Sequence, residues 1–184
     1  MSPQARKKLL SIAREAIEAG LHGRPYTPRE PSDPQLRRRA GAFVTLHERG
    51  ALRGCIGTFR DDLPLYRNVA EMARAAAFED PRFPPLGREE FDRVDLEISV
   101  LTPMRRVTHP EEVEVGRHGL CVVQGPYRGV LLPQVAVEHG WDRETFLSHT
   151  CLKAGLPPDA WKRGAEILVF EAEVFGEKDA SNRS

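Results

Sequence analysis

The sequence predicts an α+β protein with a largely antiparallel sheet flanked by helices. Short strands of alternating polarity arrive in pairs joined by tight turns, as in AFVTLHE–RG–ALRGCIGTF and GLCVVQ–GPYR–GVLLP. Helical patterns separate these pairs, whereas a doubly wound fold needs strands and helices in regular alternation. Neither GxGxxG nor GxxxxGK[ST] occurs, so the sequence does not support nucleotide binding by those loops.

The helices follow from apolar residues at helical spacing. The clearest is DDLPLYRNVAEMARAAAFED, in which Leu65, Val69, Met72 and Ala76 share one face. Others are predicted from the N-terminus to Gly20, from Pro133 through His139, and over DRETFLSHTCLKAG. VDLEISVLT and EILVFEAEVF complete the predicted strands. The prolines of residues 23–34 exclude helix and central strand, so this segment is predicted to lie extended over the fold.

Length and composition bound the class of protein. The 184 residues suit a single domain over 1–184, which two lobes could share, with a frayed polar tail over 177–184. No apolar run approaches the roughly 18 residues that span a bilayer, and the amphipathic N-terminal helix does not resemble a signal peptide. The three cysteines include no CxxC pair, which argues against structural zinc and fits a reducing cytosol. We therefore predict a cytoplasmic protein with no membrane contact, no metal and no other cofactor.

Charge argues against nucleic acid as the main partner. The formal net charge is zero, so the molecule as a whole does not attract a polyanion. The run Arg37–Arg39 could bind phosphate, but a solvated surface is the simpler interpretation. No nucleic-acid recognition motif accompanies it.

The stretch LRGCIGTF surrounds the thiol of Cys55 with glycines and places Arg53 two residues before it. In an extended strand Arg53, Cys55 and Gly57 point to one face, and a guanidinium there favours the thiolate. Gly54 and Gly57 allow a ligand or another chain to approach the backbone. A buried cysteine in a tight hairpin explains the same residues without a function.

Partners for such a thiol are few. His47 on the preceding strand could lie across the hairpin from Cys55, and Glu97 and Ser99 occupy the polar face of a strand that could neighbour it. A surface histidine and an exposed polar face are the simpler interpretations. The proline-rich loop DPRFPPL adds Arg82 and Phe83 on a stiff backbone, as loops that line pockets often do, although it could merely cover the core.

Several of these motifs resemble those of a known family. LRGCIGTF is letter for letter the signature of the AMMECR-type domain family, also called AmmeMemoRadiSam system protein A. The blocks RFPPL, EISVLTP, GVLLPQVA and FLSHTCLKAGLPPDAW resemble its later motifs in order, so the resemblance covers about residues 5–176.

The resemblance implies a cytosolic α+β fold with a cleft near the LRGCIGTF loop, and an association with Memo-like and radical-SAM proteins, which would act in trans. The reaction of the family is not established. By motif position the suspected site residues are Arg53, Gly54, Cys55, Gly57, Thr58, Arg82 and Phe83.

Three functions of different class follow. The first is an enzyme, or a substrate-handling subunit, with Cys55 and Arg53 at the centre of a cysteine-dependent group transfer and backbone amides around Gly57 as oxyanion donors. Gly54, Thr58, Arg82, Phe83 and Glu97 would bind the small-molecule or peptide substrate. The second is a non-catalytic module that binds a peptide or protein. The third, nucleic-acid binding, has the least support.

Overall fold

The computed structural model describes residues 1–181 and divides into two compact units. Unit 1 comprises Met1–Leu101 and the chain from Glu173 onward, and unit 2 comprises Thr102–Ala172. Because unit 2 is inserted between two strands of unit 1, neither terminus belongs to it. That the units are two lobes of one domain stays a prediction.

Unit 1 contains one four-stranded sheet with strand order β2-β1-β3-β8, and β1 pairs antiparallel with both of its neighbours. Its elements are α1 (Pro3–Leu21), α2 (Pro34–Arg37), β1 (Ala42–Glu48), β2 (Ala51–Thr58), α3 (Leu65–Phe78), α4 (Arg88–Phe91), β3 (Val94–Leu101), β8 (Ala172–Gly176, its first residue assigned to unit 2) and α7 (Glu177–Ser181).

Unit 2 contains a second sheet with strand order β4-β7-β5-β6, again with antiparallel pairs. Its elements are β4 (Arg105–Val107), a 3₁₀ turn (Pro110–Glu112), β5 (Gly119–Gln124), β6 (Tyr127–Leu131), α5 (Pro133–His139), α6 (Arg143–Lys153), a second 3₁₀ turn (Ala160–Lys162) and β7 (Glu166–Phe170). Phe146 and Leu147 of α6 are fully buried in its core.

The structure confirms the α+β class, the antiparallel pairing and the flanking helices, with two sheets in place of one. The predicted final strand EILVFEAEVF is divided at Glu171 into β7 and β8, which belong to different sheets. Thr102 and Glu171 bond here: the Thr102 N–H donates to the Glu171 carbonyl at 2.9 Å, and the Glu171 N–H donates to the Thr102 hydroxyl at 2.8 Å. Alternation alone cannot show such a change of sheet, because it continues across the break.

Two further expectations concern irregular segments. Of residues 23–34, predicted to lack regular structure, residues 24–33 carry none, and Tyr26 packs against the core of unit 1. The prediction is wrong at Pro34, which begins helix α2, because proline is tolerated in the first turn of a helix. Part of the predicted frayed tail forms the short helix α7, and residues 182–184 of that tail lie outside the described residues. Within residues 1–181, no helix has the length and apolar character needed to cross a membrane.

One face of the unit 1 sheet packs under the helices α1 and α3. Ala42, Val44 and Leu46 of β1 are fully buried against these helices, as are alternate residues of β3. Since strand residues alternate between faces, Phe43, Thr45 and His47 project from the opposite face. This opposite face carries the candidate site residues Thr45, Cys55 and Glu97.

Two glycines of β2 allow close packing on opposite sides of the sheet. A Cβ atom at Gly54 would lie 2.2 Å from the carbonyl oxygen of Ala76 in α3, so this helix rests directly on the strand. A Cβ atom at Gly57 would lie 2.1 Å from the Phe43 ring, which is its neighbour on β1. Gly54 therefore faces the helices, whereas Cys55 and Gly57 face the other way.

We expect Gly54→Ala to destabilise unit 1 because the added methyl group meets backbone, which cannot move as a side chain can. Overpacking of this kind costs about 1–3 kcal/mol or more. Urea unfolding followed by circular dichroism measures the loss. Gly87→Ala is the matched control, since its Cβ atom would approach nothing closer than the Glu90 carboxylate at 3.7 Å. Equal stabilities of the two variants would contradict the packing of α3 on β2.

Candidate functional site

Three side chains from adjacent strands form a row on the open face of the unit 1 sheet. In the register of the sheet, Thr45 of β1 lies opposite Cys55 of β2 on one side and opposite Glu97 of β3 on the other. Directly opposed residues of antiparallel strands have Cα atoms about 4.5–5.5 Å apart. The sheet therefore places a thiol, a hydroxyl and a carboxylate side by side.

The Cys55 thiol accepts a hydrogen bond from the Thr45 hydroxyl, with 3.2 Å between Oγ1 and Sγ. Cys55 is partly exposed, whereas Cys121 and Cys151 are fully buried. Burial raises the pKa of the Cys151 thiol above its ordinary value. Of the three thiols, only that of Cys55 combines solvent access with a hydroxyl donor.

β2 is an edge strand, and an ion pair between the buried Asp80 and the exposed Arg82 binds its free edge at Cys55. The Cys55 N–H donates to Asp80 Oδ2 at 3.0 Å, and Arg82 Nη2 donates to the Cys55 carbonyl at 3.3 Å. Arg82 also donates to Asp80 from Nε at 3.0 Å and from Nη2 at 2.8 Å. The Asp80–Arg82 pair thus occupies both backbone groups that a further strand would use.

The electrostatics of this pair follow from its bonds. The Arg82 guanidinium holds the pKa of the Asp80 carboxyl well below its ordinary value, and the Cys55 N–H contributes in the same direction. The Arg82 pKa is raised, chiefly by the hydrogen bond to Asp80 and to a lesser degree by the charge of Asp80. Arg82 is therefore a cation, and it lies against the backbone of Cys55.

Arg53 has other partners than the thiol. Its Nε and Nη2 donate to the Glu90 carboxylate at 2.6 Å and 3.1 Å, and Nη2 donates to the Pro84 carbonyl at 2.8 Å. A β-bulge explains this direction: Leu46 pairs with Gly54 and His47 with Leu52, which leaves Arg53 unopposed. The alternation that would place Arg53 beside Cys55 is interrupted at this residue.

The Arg53–Glu90 pair is buried on its cationic side, since Arg53 is only 8% exposed. The hydrogen bond that Arg53 donates to Glu90 is the main cause that raises the Arg53 pKa, and the same bond is the main cause that lowers the pKa of Glu90 to about 2. Phe83 lies near both arginines, with its ring centre 5.7 Å from Cζ of Arg53 and 5.6 Å from Cζ of Arg82. The two guanidinium groups therefore meet the same aromatic ring.

The remaining predicted residues divide between the row and its surroundings. Glu97 lies in the row, and its carboxylate has no hydrogen bond or ion pair within residues 1–181. His47 lies opposite Leu52 and Asp95, not opposite Cys55. The hydroxyl of Thr58 accepts from the N–H of Arg60 in the turn after β2. The cleft predicted beside this segment stays a prediction.

Three residues were missed by the sequence reasoning: Thr45, Asp80 and Glu90. The alternation of AFVTLHE places Thr45 on the face of Cys55 once the two strands are paired, so this signal was present. Asp80 stands in the DPRFPPL loop, but its contact with Cys55 joins residues 25 apart and needs the folded chain.

No three His, Cys, Asp or Glu side chains in the described part of the chain group so that they could hold a metal ion. The absence of a metal and of any other cofactor stays a prediction.

We expect Cys55 to react first when the native protein is alkylated with iodoacetamide, because Cys121 and Cys151 are fully buried. Mass spectrometry of partly labelled protein gives the three rates. The protein unfolded in urea is the control, since all three thiols should then react at similar rates. Faster labelling of Cys121 or Cys151 than of Cys55 in the native protein would contradict the site.

The Arg53–Glu90 pair should make stability depend on pH. A carboxyl group whose pKa is lowered on folding stabilises above its unfolded pKa of about 4.3, and this contribution is lost as the pH falls toward about 2. Glu90→Gln should cost about 1–3 kcal/mol at pH 7, and the difference from wild type should disappear near pH 2.

Urea unfolding between pH 2 and pH 7 measures this difference, with the exposed neighbour Glu89→Gln as the control. A constant difference across the whole range would show that the pair does not act through its charge.

Comparisons with known proteins agree with the fold and with the family resemblance. The family model described as AMMECR1 matches residues 10–175. Protein NEQ441 of Nanoarchaeum equitans is 45% identical, and the match covers 92% of this chain and 98% of the length of that protein. Protein PF1979 of Pyrococcus furiosus is 46% identical over 92% of this chain and 87% of its own.

A solved structure is also similar. The crystal structure of the uncharacterized protein PH0010 from Pyrococcus horikoshii has a TM-score of 0.82 and 44% sequence identity, and the match covers 92% of this chain and 89% of that one. Family model, relatives and solved structure agree over nearly the whole chain: it belongs to the AMMECR1 family.

Proposed function

We propose that the chain is an enzyme, or the substrate-handling subunit of one, that uses Cys55 as a nucleophile in group transfer on a small molecule or peptide. The row of Cys55, Thr45 and Glu97 carries this proposal. It supplies a nucleophile, a hydroxyl that donates to sulfur at 3.2 Å, and a carboxylate free to exchange protons.

The row can support an acyl transfer. The Thr45 hydroxyl, which donates to sulfur in the structure, turns to donate its proton to the Glu97 carboxylate and accepts the thiol proton. The sulfur then forms a bond to the carbonyl carbon of the substrate. The bond from that carbon to the leaving group breaks, and the leaving group takes the proton from Glu97. An acceptor, such as water or an amine, loses a proton to Glu97 and displaces the Cys55 thiolate, which recovers this proton through Thr45 and becomes the thiol again.

The surrounding residues take supporting roles in this proposal. The Asp80–Arg82 pair holds the backbone of Cys55, and Arg82 supplies the positive charge that the sequence predicts for Arg53. Arg53 instead fixes the bulge through Glu90 and acts as a positioning residue. The N–H of Cys55 is bound to Asp80, so the amide of Gly57, two residues along the same edge, is the proposed oxyanion donor.

The partners and location belong to the same proposal. The family resemblance supports action with Memo-like and radical-SAM proteins in the cytoplasm. A formal net charge of zero favours a neutral or modestly charged substrate over nucleic acid.

A non-catalytic binding module is the second candidate function. The edge position of β2 favours it, because a strand edge can bind an extended peptide, although the Asp80–Arg82 pair already occupies the backbone groups of Cys55 and leaves only the rest of the edge for pairing. In this case Cys55 would contribute only packing, and its thiol chemistry would be dispensable.

The substitution Cys55→Ser separates the two functions. Cys55 is partly exposed, so the change should cost less than about 1 kcal/mol, whereas the fully buried control Cys121→Ser should cost about 1–3 kcal/mol. We expect Cys55→Ser, and its companion Glu97→Gln, to abolish complementation of a deletion strain of the source organism, while Cys121→Ser complements at a permissive temperature.

Thermal melts accompany the complementation assay. A Cys55→Ser protein that folds and complements fully would end the nucleophile assignment and support the binding module.

A further inference from the structure

The Asp80–Arg82 pair leaves one side of a fixed guanidinium open beside the residue that carries the thiol. Arg82 uses Nε and Nη2 for Asp80 and the carbonyl of Cys55. Its Nη1 has no hydrogen bond within residues 1–181, and the Arg82 side chain is 55% exposed. Two donor hydrogens of Nη1 are thus available to a ligand.

Burial determines which end of the ion pair a ligand meets. The Asp80 side chain is 2% exposed, so the carboxylate lies beneath the guanidinium and solvent meets the cation. The prolines on both sides of Arg82 and Phe83 stiffen this loop, and the Phe83 ring supports the guanidinium. Little conformational entropy is lost when a ligand binds a group that is already held in place.

We propose that Arg82 binds a carboxylate of the substrate, which is a small electrophile. The inference rests on the proposed function, because it takes the Cys55 thiol as the nucleophile. The position follows from geometry: Arg82 donates through Nη2 to the carbonyl of Cys55 at 3.3 Å. A carboxylate bound at Nη1 of the same guanidinium therefore lies beside the residue that carries the thiol.

Two alkylating agents of the same shape test the charge requirement. Iodoacetate carries a carboxylate on the reacting carbon, and iodoacetamide carries a neutral amide in its place. In both reactions the Cys55 thiolate forms a bond to the CH₂ carbon and iodide leaves with the electron pair of the C–I bond. The ratio of the two rates at Cys55, divided by the same ratio in urea-unfolded protein, cancels the intrinsic difference between the reagents.

We expect this normalised ratio to be about two to five, the factor of an exposed ion pair, and to fall toward one in 0.5 M NaCl as charges are screened. Arg82→Gln should reduce the ratio to about one. Arg82→Lys keeps the charge and the pairing with Asp80 but lacks the planar donors, so it should reduce the ratio in part. The control Arg88→Gln removes an equal charge from an exposed residue after the loop and should leave the ratio unchanged.

The wild-type ratio and its salt dependence test carboxylate binding by Arg82 even if the Arg82→Gln variant does not fold. A ratio near one at low salt, or an equal loss in Arg88→Gln, would overturn the assignment of Arg82. Failure of the proposed function looks different: Cys55→Ser would then complement fully, whatever the ratio of the two rates at Cys55.

Discussion

The arrangement of the site depends on the hydrogen bonds of the Asp80 carboxylate. This carboxylate is almost fully buried, and a buried charge is tolerated only when its oxygen atoms are fully hydrogen-bonded. Asp80 meets this condition with the backbone of Cys55 and with the backbone and side chain of Arg82. The hydrogen bond from Cys55 to Asp80 therefore connects the edge of the sheet to the loop after α3. The position of the thiol relative to the guanidinium is therefore a consequence of satisfying one anion.

The two arginines near Phe83 show how similar residues come to differ in function. Arg53 is 8% exposed and its Nε and Nη2 donate to Glu90 and the Pro84 carbonyl. The Asp80 carboxylate beneath Arg82 is also fully hydrogen-bonded. The Arg82 side chain, however, is 55% exposed, and its Nη1 group has no hydrogen bond within residues 1–181. Both are paired cations, so charge does not distinguish them. Exposure and the direction of the free donors do, and these properties arise from the bulge in β2 and from the stiff loop.

Much of this could be predicted from the sequence where the chain follows local rules. Alternation placed Glu97 on the polar face of β3, and the spacing of Leu65 and Val69 placed α3. The same rule failed at Arg53, because a bulge shifts the register without changing the pattern of residue types. It failed again at Glu171, where alternation continues while the chain passes from one sheet to the other. Asp80 could not be assigned because its role depends on a contact made only in the folded chain.

The insertion of unit 2 between β3 and β8 has a consequence for synthesis on the ribosome. β1, β2 and β3 emerge early, but the strand that lies beside β3 is made only after the whole of unit 2. Until then β3 is an edge strand with unpaired backbone groups, open to pairing with other chains. Unit 2 has all four of its strands as soon as β7 is made, so it can complete its sheet first. The time needed to synthesise unit 2 is therefore the time during which the edge of the thiol-bearing sheet is open to aggregation.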